Sequence, residues 1–272
     1  MLSSFLVFLL ILLFVGCEGK VENGSVTAVF IFGDSIVDQG NNNNISTLIK
    51  CNFEPYGKDF MGGKPTGRFT NAKTPSDLIV NELGIKEVMS AYLDPYLRVE
   101  DLKTGVSFAS GGCGFDPQTS SIAELYKLGA RKIGVFGVPP IGSLPAQRTL
   151  AGGFSRGCVV EYNQAAQLAN TKLSAAIASL SKNLLQSVLV LIDIYNPLLD
   201  LIVNPQKHGF EVVDKGCCGS GMIETVILCN KYSGTCEDNT KYLFWDSYHP
   251  TEKGYRILVD QILQKYVNIL TT

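Results

Sequence analysis

Histidine is scarce in this sequence: only His208 and His249 occur among 272 residues. A zinc centre built on several imidazoles is therefore excluded, and a late cluster of cysteines needs another explanation. Charge is scarce as well. Charged residues make up 18%, the formal net charge is −2, and no block of like charges occurs. No basic patch is available for nucleic acid. No internal repeat, low-complexity linker or shift of composition divides the chain, so a single domain is expected over residues 26–270. The longest apolar run, Phe5 to Val15, is too short to cross a bilayer. What the chain does have is 46% hydrophobic residues and 27 glycines, enough apolar material for one substantial core.

That short apolar run ends in small residues, Gly16, Cys17 and Gly19, the pattern of a secretory signal peptide over residues 1–19. The expectation is a secreted, extracellular protein whose mature chain carries no transmembrane anchor. Removal of Cys17 with the leader leaves Cys51, Cys113, Cys158, Cys217, Cys218, Cys229 and Cys236. In an oxidising compartment these read as disulfide formers, with at least one thiol left over. Asn23 and Asn44 each open an Asn-x-Ser sequon and are candidate glycosylation sites.

Strand-like and helix-like segments alternate. "TAVFIF" (27–32) is a short apolar run stopped by Gly33, as expected for a buried parallel strand. In "TPSDLIVNELG" (74–84), Thr74 is placed as N-cap, Pro75 as the first helical residue and Gly84 just past the end. "GVSFA" (105–109), "KIGVFGV" (132–138) and "SVLVLIDI" (187–194) read as further strands. Residues 121–129, 159–180 and 249–267 read as helices, the last opened by Pro250. This order implies a three-layer α/β/α sandwich with a mainly parallel sheet. Ligands of such sheets sit beyond the carboxyl ends of the strands. Ser35, the glycine loop after Ser110 and the turn from Asp246 to His249 all fall at such ends.

Ser35 follows the first strand in "FGDSIVDQGNNN", and "FWDSYHP" supplies Asp246 and His249 just before the last helix. A serine hydroxyl becomes a nucleophile when a base takes its proton, and the base needs a carboxylate to fix its tautomer. An Asp three positions before a His can bond Nδ1 and leave Nε2 facing the serine.

These motifs, with "YGKDFMGGKPTGRFTNAKTPSDLI", "TGVSFASGGCGFDP" and "LGARKIGVFGVPPIG", resemble the plant GDSL-type esterase/lipases of the SGNH hydrolase superfamily, nearest their extracellular lipase branch. The resemblance implies a flavodoxin-like fold and hydrolysis of acyl esters or lipids without a cofactor, in the apoplast or cell wall. It implies Ser35 as nucleophile, His249 as general base and Asp246 as orienting acid. It also implies an oxyanion hole from the backbone N–H groups of Ser35 and Gly112, with Gly111 the alternative to Gly112.

One family block is missing. No Asn-Asp pair occurs in the 272 residues, although relatives carry a G-x-N-D-like strand end that completes the oxyanion hole. The chain reads as a relative shortened internally near Ser120 and Ser121, with a central strand lost between "GVSFA" and "KIGVFGV". An active esterase/lipase and a catalytically impaired relative that binds lipid or acyl ester are the two readings that follow.

Overall fold

In a computed structural model, the described residues are 11–14, 26–113 and 122–271. Six strands are β1 (Ile11–Phe14), β2 (Val29–Phe32), β3 (Lys132–Phe136), β4 (Val188–Ile192), β5 (Val212–Gly216) and β6 (Tyr242–Phe244). The α-helices are α1 (Pro75–Glu82), α2 (Val99–Leu102), α3 (Ile122–Lys127), α4 (Pro145–Ala151), α5 (Val160–Ser181), α6 (Tyr195–Val203) and α7 (Glu252–Thr271).

Strand β2 shows why the chain is α/β. Its residues alternate between two apolar layers. Val29 and Ile31 pack with Leu78 and Ile79 of α1 and with Val259 and Ile262 of α7. Phe30 and Phe32 face the other way, toward Ile122 and Leu125 of α3 and Ile177 of α5. The sheet is thus covered by helices on both faces. The helix expected at 74–84 is present as α1: Thr74 and Asp77 form a reciprocal capping box, and Gly84 takes a positive φ of 68°. Asp77 also pairs with Arg68 at 2.8 Å, both buried, and this ties α1 to the loop before it.

The segment expected to be a strand at 105–109 lies extended along the outer edge of β2. Phe108 N–H donates to Ile31 O at 2.7 Å and Ile31 N–H to Val106 O at 3.1 Å. The pairing is parallel, but it forms only an isolated bridge at Ser107. A Cβ on Gly105 would lie 1.8 Å from Val29 O, so only glycine permits this approach.

Two expectations about the sheet need correction. The four-stranded sheet has the order β2-β1-β3-β4, and β1 runs antiparallel to both neighbours. Within it only β3 and β4 pair in parallel, although the separate pair β5–β6 is parallel too. The expected neighbours at the centre of the sheet differ as well. Because 105–109 lies on the far side of β2, the position between the first strand and "KIGVFGV" is the internal one. Ile11–Phe14 of the N-terminal apolar run occupies it. Two facing rows of backbone groups need partners, and an apolar strand supplies them. Residues 1–10 and 15–25, which carry most of the expected signal peptide, and 114–121, where the shortening is placed, lie outside the described residues.

Candidate active site

The turn after β2 carries Ser35. Asp34 shapes it by accepting the Ile36 N–H on its carboxylate at 3.0 Å, and Val37 N–H closes onto Asp34 O at 3.3 Å. Strand β6 delivers Asp246 and His249 from the other side. Pro250 bridges back to Phe244, and the Thr251 hydroxyl accepts the Gly254 N–H at 3.3 Å. Helix α7 therefore begins at Glu252, two residues later than Pro250 suggested.

The three side chains meet although 214 positions separate Ser35 from His249. Ser35 Oγ lies 2.8 Å from His249 Nε2, and His249 Nδ1 lies 2.8 Å from Asp246 Oδ2. Asp246 Oδ1 accepts the backbone N–H groups of Tyr248 at 2.8 Å and His249 at 2.7 Å. The Tyr56 hydroxyl donates to Oδ2 at 2.8 Å, and Thr225 Oγ1 approaches at 3.3 Å. Burial works against ionisation of Asp246, but His249 and these hydrogen bonds outweigh it and hold its carboxyl below the usual range. Burial likewise opposes charge on His249, and Asp246 overcomes it, so the imidazole is raised above its ordinary value. Burial raises the neighbouring Asp34, against the Ile36 N–H and the charge of His249.

The oxyanion candidates differ in their partners. Gly111 N–H donates to Asp38 Oδ2 at 2.9 Å and is spent. Among the described residues, no hydrogen bond engages the N–H of Ser35 or of Gly112. Gly112 sits at φ +85°, and Ser110 N–H donates to Gly33 O at 3.0 Å, which holds its loop against the turn that carries Ser35.

Several residues of this machinery have no role in the sequence reading. The asparagines after the turn bind the glycine loop: Asn41 Nδ2 donates to Ser107 O and Ala109 O, and Asn42 Nδ2 to Gly111 O, each at 2.8 Å. Their repetition was visible in the sequence, but not their partners. Tyr56, fully buried and 190 positions from Asp246, left no local signal. Disulfides Cys217–Cys236 and Cys218–Cys229 fasten the loop that brings Thr225 and Val226 to this end of the site. Val226 N–H donates to the Tyr56 hydroxyl at 2.9 Å. Cys51, Cys113 and Cys158 are unpaired. The second histidine, His208, pairs with Asp200 of α6. Among the described residues no group of three or more His, Cys, Asp or Glu is arranged to hold a metal. Of the two sequons, Asn44 is exposed, and Asn23 lies outside the described residues.

The family model of GDSL-like lipase/acylhydrolases matches residues 115–262, just over half of the chain. The chain belongs to this family. A GDSL esterase/lipase of Arabidopsis thaliana is 40% identical, the match covering 97% of this chain and 98% of the relative. The GDSL esterase/lipase EXL3 of the same plant is 41% identical over 89% of this chain and 88% of its own length. This GDSL esterase/lipase is a carboxylic-ester hydrolase. The first alignment runs to 342 positions against 272 residues, so at least 70 of its positions hold no residue of this chain. Among the described residues, no helix is long and apolar enough to cross a membrane.

Proposed function

We propose that this GDSL esterase/lipase is a secreted serine hydrolase of acyl esters or lipids, working through Ser35, His249 and Asp246. The observation that carries the reading is the continuous chain of short contacts from Ser35 Oγ through both imidazole nitrogens to a buried carboxylate. His249 Nε2 takes the Ser35 proton as Oγ attacks the ester carbonyl carbon. The new alkoxide is met by the N–H groups of Ser35 and Gly112. His249 then passes the proton to the departing alcohol, leaving Ser35 acylated. Water, activated by the same imidazole, releases the acid and restores the hydroxyl. Asp246 stays ionised throughout and fixes the ring with Nε2 toward the serine. The fold assigned with this function is the flavodoxin-like sandwich of the superfamily, internally shortened near residues 120–121.

This geometry favours an active hydrolase over the impaired, lipid-binding reading. The apolar run Phe5–Val15 supports export, with processing near Gly19 and glycans at Asn23 or Asn44. The test is hydrolysis of p-nitrophenyl butyrate by the purified chain. Ser35→Ala should remove nearly all of it; an undiminished rate in that variant would overturn the assignment.

A further inference from the structure

The backbone of Tyr248 supports the triad, since its N–H donates to Asp246 Oδ1 at 2.8 Å. Its side chain has no part in that task, yet it is held in place. Gln147 Nε2 of α4 donates to the Tyr248 hydroxyl at 2.6 Å. Helix α4 is itself fastened to the same turn, because Ala146 N–H donates to Ser247 O at 3.1 Å. On the other side, Ser247 N–H donates to Glu224 O at 2.9 Å. An aromatic ring tied at both ends loses little freedom when a ligand covers it, so it offers contact area at low entropic cost.

The ring stands beside the base. Among the described residues, two aromatic side chains flank the His249 imidazole: the Phe69 centroid lies 5.3 Å away and that of Tyr248 6.5 Å. Phe69 is sealed in the core at 1% exposure, whereas Tyr248 is 38% exposed and shares the wall of one opening with Ser35 and His249. In the proposed reaction His249 hands its proton to the departing alcohol. The alcohol oxygen must then lie within hydrogen-bond reach of Nε2, and the group it carries extends over the surface next to the imidazole. Of the two flanking rings, only Tyr248 can meet that group. The adjoining loop, tied to α4 by the Thr149 hydroxyl donating to Met222 O at 3.0 Å, adds exposed Met222 and Ile223. Glu224 of this loop spends its carboxylate on the N–H groups of Ser220, Met222 and Ile223, so it is not open to a cationic alcohol.

We infer that Tyr248 is the platform of the leaving-alcohol subsite and favours esters of neutral alcohols bearing a flat aromatic ring over esters of non-planar alcohols of equal size. The inference rests on Ser35 and His249 carrying the reaction and names the alcohol half of the substrate. A planar ring lies against the fixed tyrosine in an offset or edge-to-face arrangement, and a puckered or open chain gains only its area of contact.

The experiment compares benzyl butyrate with cyclohexylmethyl butyrate, which share the acyl group and release primary alcohols with the same number of carbons. Aromatic pairing is expected to favour the benzyl ester by about two- to tenfold in kcat/KM, carried by KM. Tyr248→Leu should erase that ratio, and Tyr248→Phe, which keeps the ring, should retain it. Saturation-transfer NMR of benzyl alcohol and cyclohexylmethanol on Ser35→Ala reads the same preference without turnover, and adding Tyr248→Leu should abolish it. Failure of the Ser35 assignment is thereby separated from failure of the subsite: no hydrolysis with preserved preference in binding indicts only the former. Equal kcat/KM for the two esters, or a preference that survives Tyr248→Leu, would overturn the inference. Loss of the preference in Tyr248→Phe would also overturn it, by moving the role from the ring to the hydroxyl.

Discussion

Removing β1 tests how this chain completes its sheet. Ile11–Phe14 pairs along its whole length with Val29–Phe32 on one side and with Lys132–Val135 on the other. Deleting residues 1–19 strips both partners of their ladder at once. A backbone hydrogen bond contributes a net ~1 kcal/mol, and a buried group left unpaired costs about 1–3 kcal/mol. Four residues bonded on two sides therefore represent a loss of roughly 4–8 kcal/mol. A typical domain is stable by only about 5–15 kcal/mol, so the truncated chain should be near its folding limit. The assay is urea unfolding followed by far-ultraviolet circular dichroism, comparing the full chain with one beginning at Lys20. A synthetic peptide of residues 5–18 added to the truncated chain should raise its midpoint. Equal midpoints for the two chains, with no response to the peptide, would refute this account of the sheet. The experiment also bears on export, because a leader cleaved near Gly19 takes β1 with it. Export with cleavage and completion of the sheet by β1 are alternative uses of these residues, and a product beginning near Lys20 with an undiminished midpoint would decide for the first.

Five further outcomes follow from the site. Asp246→Asn should cut kcat by about 10⁴ by presenting a donor where Nδ1–H needs an acceptor, as esterase kinetics will show. The base works only as neutral imidazole, and the His249 pKa is raised, so kcat/KM should climb with pH through a midpoint above ~6.5; a midpoint below that value contradicts the sign. Stability has the opposite sense: the raised His249 stabilises below ~6.5 and loses that contribution as pH rises through its folded value, while the lowered Asp246 stabilises above ~3.9 and loses it as pH falls, so pH-dependent thermal midpoints should peak between them. Tyr56→Phe removes a donor from Asp246 and leaves Val226 N–H unpaired, which should cost about 1–3 kcal/mol in denaturant melts and move the acid limb of the rate profile upward. Reducing the two disulfides frees the loop carrying Thr225 and Val226, at about 3 kcal/mol for a loop of this size, and should depress turnover before the fold is lost; an unchanged rate in dithiothreitol would mean the loop does not support Asp246.

The parts that could be read from the sequence are those set by local chemistry. Thr74, Pro75 and Gly84 delimit α1 because capping is decided within a few residues. The spacing of Asp246 and His249 anticipates their contact because one turn spans it. Pairings across the chain left no such trace. Tyr56 reaches Asp246 only because two loops fold over each other, and no local pattern encodes that. Strand β1 was obscured for another reason. An apolar run with small residues after it has the same composition whether it addresses a translocation channel or fills a sheet, and only the unpaired edges of β2 and β3 separate the two roles. The partner of the glycine loop was equally hidden, because Gly111 N–H reaches the Asp38 carboxylate across 73 positions.

The central claim is that Ser35 is the nucleophile activated by His249, and the most direct measurement is site-mapped labelling with a fluorophosphonate probe. Intact protein should gain one adduct, located by peptide mass spectrometry on Ser35, with labelling slowed severely in His249→Ala and absent in Ser35→Ala. An adduct on another serine, or equal labelling of Ser35 without His249, would contradict the account.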